Sequence, residues 1–475
     1  MSLLPVRRLA LAGARGRVLA GALCAALLAG TAHARDWFVS GGGNDAHDGS
    51  RPEAALRTLQ KAHAMVQPGD VVWVGDGLYT HTDRSDGSAV LNITRSGRAD
   101  AWISWKARPG HRPEVRAAGW AGIQVSASYQ VIEGFHVIGN NDSIALVRAL
   151  EDARKPKPDA GFNSNGILIE GRRSAADNKP HHIVVRHCVV AKNPGGGITA
   201  LEADHVTIED NLVFDNAWFM RYAGSGITLL NNWQHDPAPG YHVVIQRNRV
   251  WNNKTLVPWE RTGKLSDGNG ILLDVTDLAP TGGATNPNAD AATKPESAVA
   301  TAAEVTPPAG TAKAQRPAWT ARSLIANNLS AFNGGSGIHT FRTAHVDIVN
   351  NTTYWNGSIV DYEELFANRS DDIVILNNII VPRPGGRVTS NNRNTGLQWD
   401  FNLYPVAQSV VEGANDIVAD PLFVQVDPDL RRADFRLRAG SRGIDTGTAQ
   451  LPQASDLAGS TRPRSAGRDG GAHEQ

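Results

Sequence analysis

The chain has 475 residues, with 47 basic and 47 acidic side chains, so its formal net charge is zero. A balanced charge gives no reason to expect nucleic acid or an anionic membrane surface as a partner, and a polyanion would have to be bound locally. The 48 glycines and only three methionines fit an all-β protein better than a helical one. We expect a monomer.

Residues 1–34 have the pattern of a cleavable secretory signal. A basic start is followed by an apolar stretch over residues 18–29 and by Ala32-His33-Ala34, a small-x-small cleavage site. The apolar stretch is too short to span a bilayer, and no later segment is long enough. We therefore expect export to the periplasm or beyond. Removal of Cys24 with the signal would leave Cys188 alone, without an intramolecular disulfide.

From residue 35 onward we expect a single domain, which begins with a change of period. Over residues 52–66 the apolar side chains recur at helical spacing and predict a helix: Ala55, Leu59, Ala62 and Val66. Four β-rich runs between residues 101 and 139 then predict the first coils of strands.

Two polar segments interrupt this pattern. Residues 140–163 are polar and Lys-rich, and residues 276–317 form a low-complexity run rich in Ala, Thr and Pro. Neither composition can build a core, so we expect both segments to leave the fold at a turn and to lie beside a cleft.

The most regular feature is a repeat that occurs five times. Each copy holds a short run of β-branched residues, a small polar residue or Asn, and a second short run closed by Asn. The copies span residues 181–193, 204–216, 241–253, 321–333 and 344–356. Two β-runs per unit leave no room for a helix, so the pattern predicts stacked coils of parallel strands.

One position of the repeat gives the length of a coil. Cys188, Asn211, Asn248, Asn328, Asn351 and Asn378 occupy this position, with steps of 23, 37, 80, 23 and 27 residues. The short steps fit a right-handed parallel β-helix, which uses roughly 20 to 30 residues per coil, and the long steps contain insertions. Stacked Asn side chains would form a structural ladder, with Cys188 as a small core residue. The helix over residues 52–66 would then cap the open first coil.

A recurring Gly-Ile pair places one strand of each coil in a common sheet. Its isoleucines would form an inward ladder: Ile167, Ile198, Ile227, Ile271 and Ile338. Outward positions of the same strands carry Glu170, Asp274 and His339, and Glu202 and Arg342 stand at strand ends. Because coils are about 4.8 Å apart, we expect these groups to share an exposed groove and to converge on one sugar ring.

The densest chemistry lies in residues 259–277, WERTGKLSDGNGILLDVTD. Each candidate has an ordinary structural alternative: Asp267-Gly268 as a turn, Asp274 as a solvated strand residue, and Arg261 and Lys264 as loop residues. Aromatic residues elsewhere offer faces for stacking on sugars, although some must belong to the core. They are Trp218, Tyr222, Trp233, Trp251 and Trp259.

A grooved solenoid suits an extended polymer, and an acidic polysaccharide is the expected substrate. Cleaving a uronic-acid polymer by β-elimination requires neutralisation of the C6 carboxylate, a base for the C5 proton and a donor for the leaving oxygen. The expected catalytic residues are Lys264, His339, Arg342 and Asp274. The expected substrate-binding residues are Arg261, Trp259, Tyr222, Asn269, Glu170 and Glu202. Asp267 and Asp274 are the expected calcium ligands.

Part of the chain resembles a known family. Residues 37–79 resemble the amino-terminal region of secreted β-helix proteins of the pectate-lyase-like superfamily, including the family nine pectate lyases, and residues 419–475 resemble the closing segment of that group. The phrase SDGNG resembles the acidic calcium-binding turn of family nine at Asp267 and Gly268, whereas Asn269 and Gly270 depart from it. The lysine base of that family has no lysine counterpart in residues 336–342, SGIHTFR.

Three functions remain open from the sequence. The leading hypothesis is a secreted polysaccharide lyase that acts on a uronic-acid polymer. A glycoside hydrolase on the same fold would use two carboxylates, such as Glu170 or Glu202 with Asp274. A carbohydrate-binding or structural β-helix without catalysis is the third.

Overall fold

The computed structural model describes residues 34–278, 315–462 and 467–474. From Ala34 onward the chain forms one compact unit. The expected secretory signal, and with it Cys24, lies outside the described residues except for Ala34. Most of the low-complexity insertion expected over 276–317 also lies outside them. No helix among the described residues has the length and apolar character needed to cross a membrane.

Three parallel sheets wind into the right-handed β-helix that the repeat predicts, and each complete coil contributes one strand to each sheet. Within the described residues, sheet 1 contains Asp36–Val39, Val71–Val74, Ile103–Ala107, Gln130–Glu133, His181–Arg186, Asp204–Glu209, Tyr241–Gln246, Arg322–Ala326, Ala344–Val349, Asp371–Leu376 and Thr395–Asp400. Sheet 2 contains Gly77–Thr80, Pro113–Arg116, His136–Ile138, Val189–Ala191, Leu212–Phe214, Arg249–Trp251, Leu329–Ala331, Thr352–Tyr354, Ile379–Val381, Leu403–Tyr404 and Ile417–Val418. Sheet 3 contains Ala89–Ile93, Ala121–Val125, Asn165–Glu170, Ile198–Leu201, Ile227–Leu230, Ile271–Asp274, Ile338–Phe341, Leu365–Asn368 and Asn391–Asn392.

The hydrophobic core runs along the inside of the solenoid. The predicted inward ladder is confirmed, because its isoleucines pair in register from coil to coil and are fully buried: Ile167, Ile198, Ile227, Ile271 and Ile338. Burying each such side chain contributes about 1.5–3 kcal/mol, so the stack is a main source of stability.

Two polar ladders line the corners of the coils. At the corner between sheets 1 and 2, Asn248 shows the pattern: its Nδ2 donates to Asn328 Oδ1 at 3.0 Å, and its Oδ1 accepts from Asn211 Nδ2 at 3.0 Å. This confirms the predicted Asn ladder, whose first member, Cys188, is buried and donates its N–H to Asn211 Oδ1. The second ladder, between sheets 2 and 3, contains Asn193, Asn216, Asn253, Asn333 and Asn356.

Acidic side chains continue the ladders beyond their last Asn. Asp416 accepts from the backbone N–H of Asn402, and Glu364 accepts from that of Asn356. Burial raises the pKa of Glu364 to about 8. The carboxyls therefore satisfy the donors that would otherwise be left unpaired at the ends of the ladders.

The amino-terminal helix is confirmed as a cap, but it is shorter than its pattern predicts. A 3-10 turn covers Pro52–Ala54, and α1 covers Leu59–Met65. Thr58 begins α1, since its side chain accepts from the Lys61 N–H at 3.2 Å. Leu59, Ala62 and Val66 are buried in the core.

Two other expectations need correction. The coils do not begin near residue 101, because Asp36–Val39 already pairs with Val71–Val74. Residues 140–163 are not merely an excursion: α2, Leu146–Ala153, buries Ala149 in a small cluster with Phe219 and Val257. Two further 3-10 turns, Asn141–Ser143 and Ala160–Phe162, flank α2. An amphipathic helix can bury one stripe on a pre-existing surface even when its overall composition is polar.

The carboxy-terminal segment packs along the side of the solenoid. Phe423–Gln425 and Asp434–Leu437 form an antiparallel pair. Phe423, Leu430, Phe435 and Leu437 share a buried cluster with sheet 2 residues such as Phe214 and Trp251. The segment therefore covers part of a sheet face that would otherwise expose apolar side chains.

Candidate functional site

The candidate site lies on the outer face of sheet 3, around the strands Ile271–Asp274 and Ile338–Phe341. The predicted register is confirmed here: Leu272 pairs with His339, and Asp274 pairs with Phe341. Side chains that alternate with the inward isoleucines point away from the core. Asp274 and His339 therefore belong to the outer face, as their positions predict.

The turn before this strand brings Asp267 to the same face. Asp267 and Gly268 both have positive φ, +61° and +71°. A Cβ on Gly268 would lie 2.8 Å from Lys254 Cα, so the tight approach of the two segments requires glycine. Asp267-Gly268 is thus a turn, which is the structural interpretation that the sequence left open. The same turn also positions the Asp267 carboxylate.

Asn269 holds the turn in place. It is fully buried, and its Oδ1 accepts from the N–H and the hydroxyl of Ser336 at 2.9 and 2.8 Å. Its Nδ2 lies 3.4 Å from Asp267 Oδ1. The residue expected to bind substrate is therefore committed to the contact between two coils and to the orientation of Asp267.

Asp267 and Asp274 form an electrostatically coupled pair of half-buried carboxyls. Burial raises the pKa of Asp267 to about 6, although its contact with Asn269 opposes the rise. Burial, followed by the charge of Asp267, raises the pKa of Asp274 to about 8, while Arg342 and Arg261 oppose it. Asp274 Oδ1 has no hydrogen-bond partner among the described residues. At neutral pH the first carboxyl is mostly ionised and the second mostly protonated.

His339 lies beside this pair, under an aromatic cover. Its ring stacks on Phe366 with centroids 4.1 Å apart and meets Tyr362 edge-on at 5.8 Å. Neither ring nitrogen has a hydrogen-bond partner within the described ranges, and burial lowers the pKa to about 3. His339 is consequently a neutral imidazole and only a weak base.

Tyr362 is a site residue that sequence reasoning missed. Its hydroxyl lies 3.4 Å from the Ser266 hydroxyl, and burial followed by the charge of Asp267 raises its pKa. Tyr362 belongs to the sheet 3 strand region that lacks the Gly-Ile pair, where Glu363-Glu364-Leu365 replaces it. The change in the repeat at that coil was the available signal.

The cationic candidates differ in position. Arg342 binds Asp277 through both its Nε and its terminal nitrogen, at 2.8 and 2.5 Å, and affects the nearby Asp274. Arg261 lies over the Trp259 ring at 5.4 Å and also affects Asp274. Lys264 is exposed on a loop whose backbone closes by a 2.8 Å hydrogen bond from Trp259 N to Lys264 O. Among the described residues, no contact links the Lys264 ammonium to Asp267 or Asp274.

The expected acidic groove is wrong at Glu170. This residue is fully buried and forms an ion pair with Arg172, whose Nε lies 3.0 Å from Glu170 Oε1. A carboxylate without exposure needs such a partner, so burial has turned an outward position into a structural ion pair. Glu202 forms an ion pair with Lys179 at 2.7 Å, and the Lys179 ammonium lies over Trp233 at 4.5 Å.

The aromatic candidates are divided between the surface and the core. Trp251 is buried in the cluster under the carboxy-terminal segment, and Trp259 is 9% exposed. Tyr222 remains half-buried and packs edge-on against Trp120 at 6.1 Å, on the outer face of sheet 3. Trp218 donates its indole N–H to Asn252 O at 3.1 Å.

Fold and site together define a right-handed parallel β-helix protein with a carboxyl pair on one outer face. No protein-family model and no curated protein matches the chain. Among solved structures, the pectate lyase Pel9A is 16% identical, with a TM-score of 0.52 over 93% of this chain and 96% of that one. A rhamnogalacturonan lyase is 14% identical, with a TM-score of 0.40 over 83% and 91%. A complex of XylC with xylose is 9% identical, with a TM-score of 0.44 over 92% and 98%. At 16% identity, the similarity to Pel9A shows the fold alone.

Proposed function

We propose that the protein cleaves glycosidic bonds of a polysaccharide by hydrolysis, with Asp274 as general acid and Asp267 as general base. The observation that carries this proposal is the coupled carboxyl pair, whose pKa values of about 6 and about 8 lie on either side of neutrality. Two carboxyls with separated pKa values are the usual means by which one site supplies both an acid and a base.

Each carboxyl has the protonation state that its role needs near pH 7. Protonated Asp274 would donate its proton to the glycosidic oxygen as the bond to the sugar breaks. Ionised Asp267 would take a proton from the attacking water. The hydrogen bond from Asn269 orients Asp267, and both residues are partly exposed, although Asp274 Oδ1 itself is buried.

An acidic polysaccharide is the substrate that the surrounding charges favour. The guanidinium groups of Arg261 and Arg342 lie close enough to Asp274 to affect its pKa, and they would attract a uronate carboxylate, although Arg342 is already paired with Asp277. Half-buried Tyr222 presents an aromatic face on the same side of the solenoid. A solenoid face also matches the linear repeat of a polymer.

β-Elimination, the reaction that the sequence favours, is the second candidate. It is supported by the same two guanidinium groups together with neutral His339, whose nitrogens lack partners among the described residues, and the hydroxyl of Tyr362. Hydrolysis is preferred because the pKa of His339, about 3, makes it a poor acceptor for a carbon-bound proton.

Calcium at Asp267 and Asp274 stays a proposal for which the donor set is thin. Calcium takes six to eight oxygen ligands. Asn269 directs its Nδ2 towards Asp267 and its Oδ1 towards Ser336, and two guanidinium groups lie near Asp274. These neighbours suit an acid–base pair better than a divalent cation, and no catalytic step above depends on one.

The test uses the purified protein with a panel of uronic-acid and neutral polysaccharides. New reducing ends without an unsaturated uronic product would support hydrolysis, whereas an unsaturated product would support elimination. Asp267→Asn and Asp274→Asn should each lower turnover by about 10²- to 10⁴-fold, while Asp100→Asn, at an exposed carboxylate, should not. Parent-like turnover in both site variants would refute the assignment. A chelator arm with calcium add-back tests the metal separately.

A further inference from the structure

A second cluster of chemically active side chains lies at the corner between sheets 3 and 1, one to three coils before the carboxyl pair. Five imidazoles stack in this cluster: His182 on His205 with centroids 4.1 Å apart, His205 on His242 at 3.8 Å, and His181 on His235 at 3.5 Å. Asp204 and Asp236 lie among the rings. The proposed polysaccharide chemistry uses none of these residues.

The cluster arises from the repeat itself. His182 and His205 are each the second residue of a sheet 1 strand, and both adopt positive φ, +55° and +46°. The parallel register places His181 opposite Asp204, so the following residues stack from coil to coil. Asp236 comes from the loop after Ile227–Leu230 and reaches His205 Nε2 at 3.0 Å. The loop that carries Asp236 therefore contacts the coil of His205 and lies close to the coil of His182.

We propose that His182, His205 and Asp236 form a binding site for a divalent transition-metal ion such as Zn²⁺. Each offers one ligand atom, these atoms lie within 4.8 Å of one another, and all three residues are half-buried, which leaves access from solvent. Imidazole with one carboxylate suits Zn²⁺, Cu²⁺ and Ni²⁺, whereas Ca²⁺ and Mg²⁺ prefer oxygen ligands alone.

The neighbouring groups support this set over an overlapping alternative. Asp204, His205 and His242 also come within 4.8 Å of one another. Both ring nitrogens of His242 are already committed, Nδ1 to Asp204 at 3.0 Å and Nε2 to Ala238 O at 2.9 Å. Asp204 also accepts the backbone N–H of His235 at 2.6 Å. These two residues therefore act as the scaffold that holds the loop.

The three proposed ligands have the support that metal ligands usually need. The Ala238 N–H donates to Asp236 Oδ1 at 3.0 Å, which fixes the carboxylate. His182 Nδ1 lies 2.7 Å from His181 Nδ1, so the neighbouring imidazole can hold the ring of His182 in orientation.

The ion would tie the loop that carries Asp236 to two coils of the solenoid. A metal bound only by the folded chain raises its thermal midpoint. Zinc should therefore stabilise the protein, and this effect is independent of polysaccharide cleavage.

The experiment titrates chelator-treated full-length protein with Zn²⁺ by calorimetry, and with Co²⁺ by visible absorbance. The variants are His182→Asn, His205→Asn and Asp236→Asn, since Asn tolerates the left-handed backbone of both histidines. The control is His345→Asn, because His345 has the same position and a φ of +60° on a later coil, where it contacts Asp372 and no second His or Asp completes a three-ligand set among the described residues. Circular dichroism verifies folding of each variant.

We expect one zinc ion per chain in the parent and in His345→Asn, with a rise in thermal midpoint for both. Each of the three ligand variants should lose affinity by more than about a hundredfold, beyond the usual effect of removing a supporting group. No uptake by the parent, or unchanged uptake by His205→Asn, would overturn the proposal. Binding that survives in His182→Asn but is lost in His242→Asn would overturn the ligand assignment.

Discussion

Replacing Asp274 with Asn keeps the size of the side chain but removes the proton that we assign to catalysis. General acid catalysis contributes about 10²- to 10⁴-fold, so turnover should fall by that factor. In the parent, activity requires Asp267 ionised and Asp274 protonated. The pH profile should therefore be bell-shaped, with limbs near 6 and 8, and the variant should lack the limb near 8.

The same substitution should stabilise the protein in alkaline buffer. Below pH 3.8 the Asp274 carboxyl is protonated in both folded and unfolded chains. Between 3.8 and about 8 it is ionised only when unfolded, so unfolding releases a proton and the free energy of unfolding falls as pH rises. Each pH unit is worth about 1.4 kcal/mol, which gives an upper bound of about 6 kcal/mol for the complete loss. Asn cannot ionise and escapes this loss.

The assay is denaturant unfolding at pH 4, 6 and 8, alongside turnover on the best polysaccharide of the panel. Asp274→Asn should match the parent at pH 4 and exceed it by several kcal/mol at pH 8. Asp100→Asn, at an exposed carboxylate, should show no such divergence. Parent-like turnover, or a variant less stable than the parent at pH 8, would refute the reasoning about the Asp274 carboxyl.

Three further substitutions test buried polar residues of the solenoid outside the carboxyl pair. Asn248→Ala should lower the free energy of unfolding by about 3–6 kcal/mol, because it leaves the Asn211 N–H and other buried ladder groups without partners. Denaturant unfolding measures the loss. An effect no larger than that of Asn415→Ala, at an exposed Asn, would contradict the ladder's role. Glu170→Ala should lower the free energy of unfolding by about 3–5 kcal/mol, because it leaves the charge of Arg172 without its ion-pair partner, while turnover per folded molecule should be retained. Lost turnover in a stable variant would instead support a role for Glu170 in substrate binding. His339→Phe should raise the free energy of unfolding by about 1–3 kcal/mol, because it removes two buried ring nitrogens that have no hydrogen-bond partner among the described residues. A loss of stability would show that hydrogen bonds do satisfy those nitrogens.

Much of the fold could be predicted because it depends on local periodicity. The 23-residue steps from Cys188 to Asn211 and from Asn328 to Asn351 give the coil length, and the same position recurs at Asn248 although insertions separate the coils there. The start of the solenoid was harder to predict. The strand Asp36–Val39 carries no Asn at a ladder position, and only its pairing with Val71–Val74 shows that coiling begins there.

The site was predictable in position but not in chemistry. Departures from the repeat identify the turn at Asp267 and the strand end at Asp274, and the structure brings both to one face. Glu170 occupies the same outward column as Asp274, yet it is an internal ion pair because Arg172 folds over it. Alternation along a strand gives the direction of a side chain, but not what covers it.

The sequence by itself determined the coil, the inward ladder and the register of sheet 3, because these follow from short-range periods that each strand repeats. Only the tertiary structure decided which outward groups remain open, which acquire ion-pair partners, and how far burial moves their pKa values. Burial and charge coupling depend on segments far apart in the chain. Tyr362 contributes to the site although 95 residues separate it from Asp267.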